Sequence, residues 1–288
     1  MITFLFPGQG SQKRGMGQGL FDDREYVAIE RRVDEFLGYS MRTLCLDDPQ
    51  KQLNDTRFTQ PALYIVNALY YYKALREGMR PAFLAGHSLG EYNALLAAGV
   101  FDFFTGIQLV TKRGEIMGRA KNGGMGAVIG LGERAIRAVI NQNGLSSIDV
   151  ANFNSPSQTV VSGPIVDIKR AGPIFEAAGA RMFMPLQVSA AFHSRYMAEA
   201  AAEFASFLGT VKFAPPTMTV ISNVTAEPYP KDSSSENTRS SLCKQMVQSV
   251  LWTQTIEYLQ KQGVRDFKEI GPGNVLTRFV QQIVENKG

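Results

Sequence analysis

The chain has 288 residues, of which 44% are hydrophobic and 19% are charged, and its formal net charge is +4. A chain of this length and composition can bury a core without disulfides or a structural metal, which excludes a disordered protein. Its Lys and Arg residues are scattered, so nucleic acid is not an expected partner. Cys45, Cys243, His87 and His193 lack the clustering of zinc ligands, so no metal site is expected.

The N-terminal apolar run, residues 2–6, ends at Pro7. It is too short for the core of a signal peptide, and no run approaches the ~20 apolar residues of a membrane span. We therefore expect a cytoplasmic protein without membrane association.

The first predicted elements are a strand and a long helix. Residues 2–6 predict a buried strand, and the glycines after it predict a tight loop. The helix is predicted to begin with Thr59 and Gln60 as its cap and Pro61 in its first turn, and to end before Gly78.

A second strand and two further helices follow. Residues 81–86 are apolar, end in glycine and predict a buried strand. A helix is predicted from His87 towards Ala98, closed by Gly99, and another begins at Asp102.

The middle of the chain has a different pattern. Residues 125–188 predict strand–helix–strand twice over, which is the βαββαβ order of a ferredoxin-like unit. We expect residues 124–192 to form this small subdomain, inserted into a large subdomain of residues 1–123 and 193–288. The polar residues 226–241 predict a surface loop. In the large subdomain, alternating strands and helices predict a mostly parallel sheet, whose site would lie at the carboxyl ends of its strands.

The segment Gly86–Gly90, GHSLG, is the strongest local signal. A G-x-S-x-G segment between a strand and a helix is typical of a nucleophile elbow. Ser88 would then lie at a helix N-terminus, where the backbone N–H of Leu89 could stabilise an oxyanion. The alternative is an ordinary turn in which the serine only caps a helix.

A serine needs a base to react at neutral pH. His87 adjoins Ser88, and neighbouring side chains diverge at a tight turn, so we expect His87 to pack or hydrogen-bond beside the elbow. His193 is the remaining histidine. The group that orients it is left open between a backbone carbonyl and four acidic residues: Asp149, Asp167, Asp266 and Glu269.

The loop of residues 6–12, FPGQGSQ, could supply a second oxyanion N–H. The alternatives are a plain glycine turn and a dinucleotide site, but Lys13 occupies the third glycine position that a dinucleotide fingerprint requires. Arg113 flanks the apolar stripe of its predicted helix. It is either a surface residue or a fork that binds a substrate carboxylate.

Seven segments appear in order: FPGQGSQ, TQPAL, GHSLGEY, KRG, NFNSP, AFHS and EIGPGNVLT. Together they resemble malonyl-CoA:acyl-carrier-protein acyltransferases, most closely the discrete enzymes that serve polyketide synthases in trans. The resemblance covers essentially the whole chain. It implies an α/β-hydrolase-like core with a ferredoxin-like subdomain, and an acyltransferase ([acyl-carrier-protein] S-malonyltransferase) that carries malonyl through a malonyl-serine intermediate.

The resemblance also implies roles for the catalytic residues. Ser88 would be the nucleophile and His193 the general base and acid. The backbone N–H groups of Gln9 and Leu89 would form the oxyanion hole. The backbone carbonyl of Gln245 would hold the histidine in place of an acidic residue.

The implied substrate-binding residues begin with Arg113, which would hold the malonyl carboxylate. Gln60, Asn152 and Asn154 match polar positions near the pocket. Phe192, which precedes the histidine, resembles the residue of malonyl-selective enzymes, because a phenyl ring leaves little room for an α-methyl group. One methyl group gives only ~1–3 kcal/mol of discrimination, so a preference rather than exclusion is expected.

No cofactor is expected besides malonyl-CoA as substrate, and the expected partner is an acyl carrier protein or carrier domain bearing phosphopantetheine. The protein is expected to be a monomer. Candidate carrier-docking cations are Lys112, Arg119, Lys121 and Arg195. The alternatives are a housekeeping fatty-acid malonyltransferase, a hydrolase that clears stalled carriers and a non-catalytic scaffold.

Overall fold

The computed structural model describes residues 1–232 and 234–285. Its strands are β1 (Ile2–Phe6), β2 (Phe83–Gly86), β3 (Gly123–Ile129), β4 (Asp149–Ser155), β5 (Gln158–Pro164), β6 (Met182–Pro185), β7 (Thr219–Ile221) and β8 (Asp266–Glu269). Its α-helices are α1 (Arg24–Val27), α2 (Glu30–Leu37), α3 (Met41–Leu46), α4 (Thr56–Arg76), α5 (Gly90–Ala97), α6 (Phe103–Arg119), α7 (Glu133–Gln142), α8 (Ile165–Ala177), α9 (Ala198–Leu208), α10 (Ser235–Val247), α11 (Trp252–Lys261) and α12 (Val275–Glu285).

The larger subdomain is built on a parallel sheet with the strand order β7-β2-β1-β8. Side chains alternate between its faces, because the period of a strand is two residues. Phe4 and Phe6 pack into the larger core together with residues of α4 and α6, whereas Leu5 packs on the opposite face with residues of α11 and α12. Apolar residues thus cover both faces, and the predicted α/β class with a parallel sheet is confirmed.

The second sheet is antiparallel, with the strand order β4-β5-β3-β6. Val128 and Val161 face a separate core formed with α7 and α8, while Met125 and Val160 face the main core. This is the predicted βαββαβ unit. The sheet begins at Gly123, one residue before the predicted subdomain boundary, and the boundaries themselves stay a prediction.

The predicted starts of two helices are wrong. Helix α5 begins at Gly90, because His87 and Ser88 form the turn before it, and not at His87. Helix α4 begins at Thr56, because Asp55 caps it by accepting a hydrogen bond from the backbone N–H of Arg57 at 3.0 Å. The hydroxyl of Thr59 donates to backbone carbonyls instead of capping, and Pro61 lies inside the helix.

The predicted loop over residues 226–241 is also shorter than expected. Helix α10 begins at Ser235, because the side chain of Ser234 accepts a hydrogen bond from the backbone N–H of Asn237 at 3.3 Å. The polar composition that predicted a loop is therefore partly that of a helix start.

Two further features concern the cysteines and the length of the helices. Cys45 and Cys243 are both free thiols, the first buried and the second half-buried. Within residues 1–232 and 234–285, no helix is long and apolar enough to cross a membrane.

Candidate active site

Ser88 lies at a sharp turn between β2 and α5. Its φ is +50°, a left-handed conformation that costs a residue with a side chain about 1–3 kcal/mol. The flanking glycines allow the turn to close: a Cβ on Gly86 would lie 2.0 Å from the carbonyl carbon of Gly90, and a Cβ on Gly90 would lie 1.9 Å from the carbonyl oxygen of Phe6. The predicted elbow thus depends on two residues that have no side chain.

The structure brings Ser88 and His193 into hydrogen-bond contact across 105 positions of the chain. Ser88 Oγ lies 2.8 Å from His193 Nε2, and His193 Nδ1 lies 2.7 Å from the backbone carbonyl of Gln245. A carbonyl oxygen can only accept, so Nδ1 carries the proton and Nε2 presents its lone pair to the serine. His193 also has a positive φ of +57°.

The environment of His193 keeps the imidazole neutral. Burial and, after it, the nearby charge of Arg113 lower its pKa to about 3, against the hydrogen bond to the Gln245 carbonyl. A neutral imidazole can accept the serine proton throughout the neutral range.

The acidic residues considered as orienting groups do not contact the histidine. In the described part of the chain, no hydrogen bond joins His193 to any of the four, Asp149, Asp167, Asp266 and Glu269. The geometry therefore decides between the two alternatives: the group that accepts from Nδ1 is a backbone carbonyl and not a carboxylate.

Arg113 is a buried residue with 1% exposure, so the surface alternative does not hold. Its Nη2 donates to Ser88 Oγ at 3.2 Å and to Gln245 Oε1 at 2.9 Å. Its Nε is buried and has no hydrogen-bond partner among the described residues. Burial lowers the pKa of the guanidinium, while Tyr92 and Glu91 oppose that effect. A buried cation with an unused donor beside the nucleophile fits an anionic ligand.

The glycine loop after β1 lies against the elbow. A Cβ on Gly8 would lie 3.5 Å from the backbone nitrogen of Leu89. The loop is held by Asn67, whose amide donates to the Pro7 carbonyl at 2.9 Å. The backbone N–H groups of Gln9 and Leu89 have no acceptor among the residues that the structure describes. Both are therefore free to stabilise an oxyanion.

A cleft of about 820 Å³, including its open mouth, contains most of the predicted site. The predicted residues that line it are Gln9, Gln60, Ser88, Leu89, Arg113, Asn152, Asn154, Phe192 and His193. Gln245 lies behind the cleft and contacts it through His193 and Arg113. The residues predicted from the sequence thus form one continuous site in the fold.

The predicted substrate-binding amides differ in their availability. Gln60 donates to the Met117 sulfur at 3.4 Å, and its buried Oε1 has no partner within the described residues. Asn154 is already engaged, because its Oδ1 lies 2.9 Å from His87 Nε2 and its Nδ2 donates to Gln158 at 2.9 Å. Asn152 and Phe192 line the cleft. A direct substrate contact of Asn154 stays a prediction that requires this pairing to rearrange.

His87 has the packing position predicted for it. Its ring lies 5.5 Å from the Trp252 ring and makes the hydrogen bond with Asn154. Burial lowers its pKa, against the effect of that hydrogen bond. It thus packs and hydrogen-bonds beside the elbow, as predicted.

Three of the four candidate docking cations are paired with acids. Lys112 and Arg119 both contact Glu203, and Arg195 pairs with Asp149. Lys121 is exposed. The four therefore do not form a free cationic surface.

Two buried polar residues beside the elbow were missed from the sequence. Asn223 accepts from the Ser88 N–H at 2.7 Å and donates to the Gly86 carbonyl at 2.6 Å. Glu91 accepts from the Tyr229 hydroxyl at 2.8 Å. Asn223 follows β7 at the carboxyl edge of the sheet, a position that could have marked it. An acidic residue in the first turn of a helix, as Glu91 is, has an ordinary explanation in the helix dipole, which hid its role.

Within the described ranges, no group of three or more His, Cys, Asp or Glu side chains is arranged to hold a metal ion. The atoms gathered in the cleft are a hydroxyl, an imidazole, a guanidinium and free N–H groups. This set suits nucleophilic acyl transfer.

Comparisons with known proteins agree with this chemistry. Residues 3–288 match the acyl transferase domain family. The polyketide biosynthesis malonyl CoA-acyl carrier protein transacylase PksC of Bacillus subtilis is 52% identical over 98% of this chain and 97% of its own length. A crystal structure of a malonyl CoA-acyl carrier protein transacylase from Burkholderia pseudomallei is 44% identical, with a TM-score of 0.93 over 99% of this chain and 98% of that one.

A further solved structure contains a partner. It is a malonyl-transacylase, PlMCAT, in complex with AntF, an acyl carrier protein of a type II polyketide synthase. It is 36% identical, with a TM-score of 0.92 over 99% of this chain and 93% of that chain. The resemblance drawn from the seven segments and the expectation of an acyltransferase are confirmed, and the chain belongs to the acyl transferase family, among the malonyl CoA-acyl carrier protein transacylases.

Proposed function

We propose that the protein transfers malonyl from malonyl-CoA to the phosphopantetheine thiol of an acyl carrier protein, in trans, for a polyketide synthase. The observation that carries the proposal is the buried guanidinium of Arg113, 3.2 Å from the hydroxyl of Ser88. A fixed cation at that distance selects an acyl group with a carboxylate close to its thioester, as malonyl has.

In the first half-reaction Ser88 Oγ attacks the thioester carbon. His193 Nε2 takes the serine proton, and its Nδ1–H stays bonded to the Gln245 carbonyl. The oxyanion accepts hydrogen bonds from the N–H groups of Gln9 and Leu89. The tetrahedral intermediate then expels CoA thiolate, which receives the proton from His193, and malonyl remains on the serine as an ester.

In the second half-reaction the carrier thiol gives its proton to His193 and attacks the ester carbon. The Ser88 oxygen leaves and recovers its proton from the imidazole, so the enzyme returns to its starting state. No step uses a metal or another cofactor, and that expectation stays a prediction.

The carrier assignment rests on the relatives. PksC is named for polyketide biosynthesis and is 52% identical, against 44% for the Burkholderia pseudomallei transacylase, whose name mentions no polyketide. The higher identity to PksC favours a role in polyketide biosynthesis over a housekeeping role in fatty-acid synthesis. A monomeric state and a cytoplasmic location are further predictions.

The test is intact-mass spectrometry after mixing with malonyl-CoA. Wild type should gain one malonyl group, and Ser88→Ala should gain none. An adduct of equal yield in that variant would remove the proposed nucleophile. Adding a polyketide carrier protein should then move the malonyl group to the carrier, whereas release of free malonate at the same rate would identify a hydrolase.

A further inference from the structure

Gln245, a buried residue on α10, contacts the three groups on which the reaction depends. Its carbonyl accepts from His193 Nδ1 at 2.7 Å, and its Oε1 accepts from Arg113 Nη2 at 2.9 Å. Its Nε2 donates to the Ser88 carbonyl at 2.9 Å and to Glu91 Oε2. One residue therefore sets the positions of the base and the cation relative to the nucleophile.

The amide of Gln245 can point in only one direction. A guanidinium only donates, so the oxygen must face Arg113, and a carbonyl only accepts, so the nitrogen must face Ser88. Glu91 strengthens this choice, because its carboxylate is the second acceptor for the same nitrogen. Losing that acceptor would weaken the constraint on the amide.

Glu91 also supports the elbow from its other oxygen. With 1% exposure, it accepts at Oε1 from the Tyr229 hydroxyl at 2.8 Å and from the backbone N–H of Asn223 at 3.1 Å. The side chain of Asn223 in turn bridges the Ser88 N–H and the Gly86 carbonyl, which precede the nucleophile side chain on the elbow. The carboxylate thus joins the residue that holds the strained nucleophile to the residue that holds the base and cation.

The contacts of Glu91 fit an ionised carboxylate that serves as an acceptor only. Its hydrogen-bond partners Gln245, Tyr229 and Asn223 all donate to it, so an added proton would face donors on every side. Burial raises the pKa of Glu91, whereas the three hydrogen bonds and the charge of Arg113 lower it, and the resulting pKa is about 7.

We propose that Glu91 is the positioning residue of this active site, acting through Gln245 and Asn223 rather than on the substrate. The proposal rests on the transacylase function proposed above. It explains why an acidic side chain lies buried one turn beyond the nucleophile, where an unpaired charge would be destabilising.

Glu91→Gln tests the proposal with almost no change of shape. The NH₂ group of the new amide faces either Gln245 Nε2 or the Asn223 N–H. Two donors then face each other, so one of these two hydrogen bonds must be lost. We expect kcat/KM for malonyl loading of Ser88 to fall about 10- to 100-fold, the size of effect that follows a displacement of catalytic groups by about 1 Å.

The second variant, Gln245→Glu, sets two carboxylates against each other, and it should also lose activity. The double variant Glu91→Gln/Gln245→Glu restores a donor facing an acceptor and leaves an oxygen for Arg113. The Ser88 carbonyl still loses its donor, so the recovery is partial. We expect its kcat/KM to exceed the product of the two single effects at least about fivefold, since contacting residues in one network are not additive. Additive losses would overturn the proposal.

The control is Ile136→Ala, in the core of the antiparallel sheet, which should lower Tm and leave kcat/KM unchanged. The labelling rate of Ser88 by a fluorophosphonate is a second readout that needs no malonyl. A wild type that is labelled but takes up no malonyl refutes the proposed function. The two single variants and the double variant are then compared by their labelling rates instead. Labelling and loading both unaffected by Glu91→Gln would refute the positioning role.

Discussion

The two sheets of this protein contribute to one cleft in different ways. The parallel sheet is buried on both faces, and its strand ends present Ser88 and the Gln9 loop, each held by buried amides. The antiparallel sheet contributes an apolar wall that includes Met125 and Val160. Its edge strand β6 is half exposed, with Met182 at 49%.

The difference follows from how each kind of sheet ends and packs. Parallel strands followed by helices bring free N–H groups and helix N-termini to one edge, which is where an oxyanion can be stabilised. An antiparallel sheet with helices on one face offers its other face as a surface of side chains. We therefore expect changes at the parallel edge to reduce the rate for every acyl group, and changes in the wall to alter which acyl group is preferred.

The largest expected effect is on the rate. His193→Ala should reduce acylation of Ser88 about 10²- to 10⁴-fold for malonyl and acetyl alike, because general base catalysis is lost. Quenched-flow measurement of the acyl-enzyme gives the rate for each donor. A loss confined to malonyl would contradict the division between the two regions.

Arg113→Ala should separate binding of the carboxylate from the chemistry. Hydrogen bonds to charged groups contribute about 1.5–3 kcal/mol, so malonyl loading should fall roughly 10- to 150-fold. Acetyl loading should fall much less, because acetyl carries no charge to pair. Competition between the two CoA esters measures the ratio directly, and an equal loss for both would identify a purely structural arginine.

Phe192→Ser should change selectivity with a smaller effect on rate. Removing the phenyl ring opens space beside the base, so the preference for malonyl over methylmalonyl should fall about tenfold, the scale of one methyl group. The measurement is kcat/KM for both CoA esters. An unchanged preference would exclude Phe192 as the residue that limits the α-substituent.

The smallest expected effect concerns acid stability. The folded pKa of His193, about 3, is below its ordinary value of 6.5, so its stabilising contribution is present above pH 6.5 and is lost as the pH falls. The folded pKa of Glu91, about 7, is above its ordinary 4.5, so its contribution is present below pH 4.5 and is lost as the pH rises through 7. Between these values the two effects oppose each other.

Glu91→Gln removes one of these opposing effects. The Tm of the variant should therefore fall more steeply than that of wild type when the pH is lowered from 6.5 to 4.5. Thermal melts in a series of buffers at constant ionic strength measure both slopes. Parallel curves for the two proteins would show that Glu91 does not titrate in this range.

Local pattern was sufficient to predict most of the elements and to select Ser88 and His193 as the candidate reactive pair. The GHSLG segment between a strand and a helix predicted the elbow, because a turn this tight requires glycine on both sides of the serine. With only two histidines in the chain, His193 was the candidate base that remained by elimination. The start of α4 was misplaced, because Thr59 and Asp55 are both good caps and only the fold determines which one is used.

The amino-acid sequence by itself determined the alternation of elements and the subdomain pattern, and it marked Ser88 and His193 as the candidate reactive pair, because these depend on short-range periodicity and residue type. Only the tertiary structure decided what supports them. Glu91 contacts Asn223 and Gln245 across more than a hundred positions, and no local pattern shows that these three residues meet. Their role arises from burial, which makes each unpaired donor or acceptor costly and so allows only one arrangement of the hydrogen bonds.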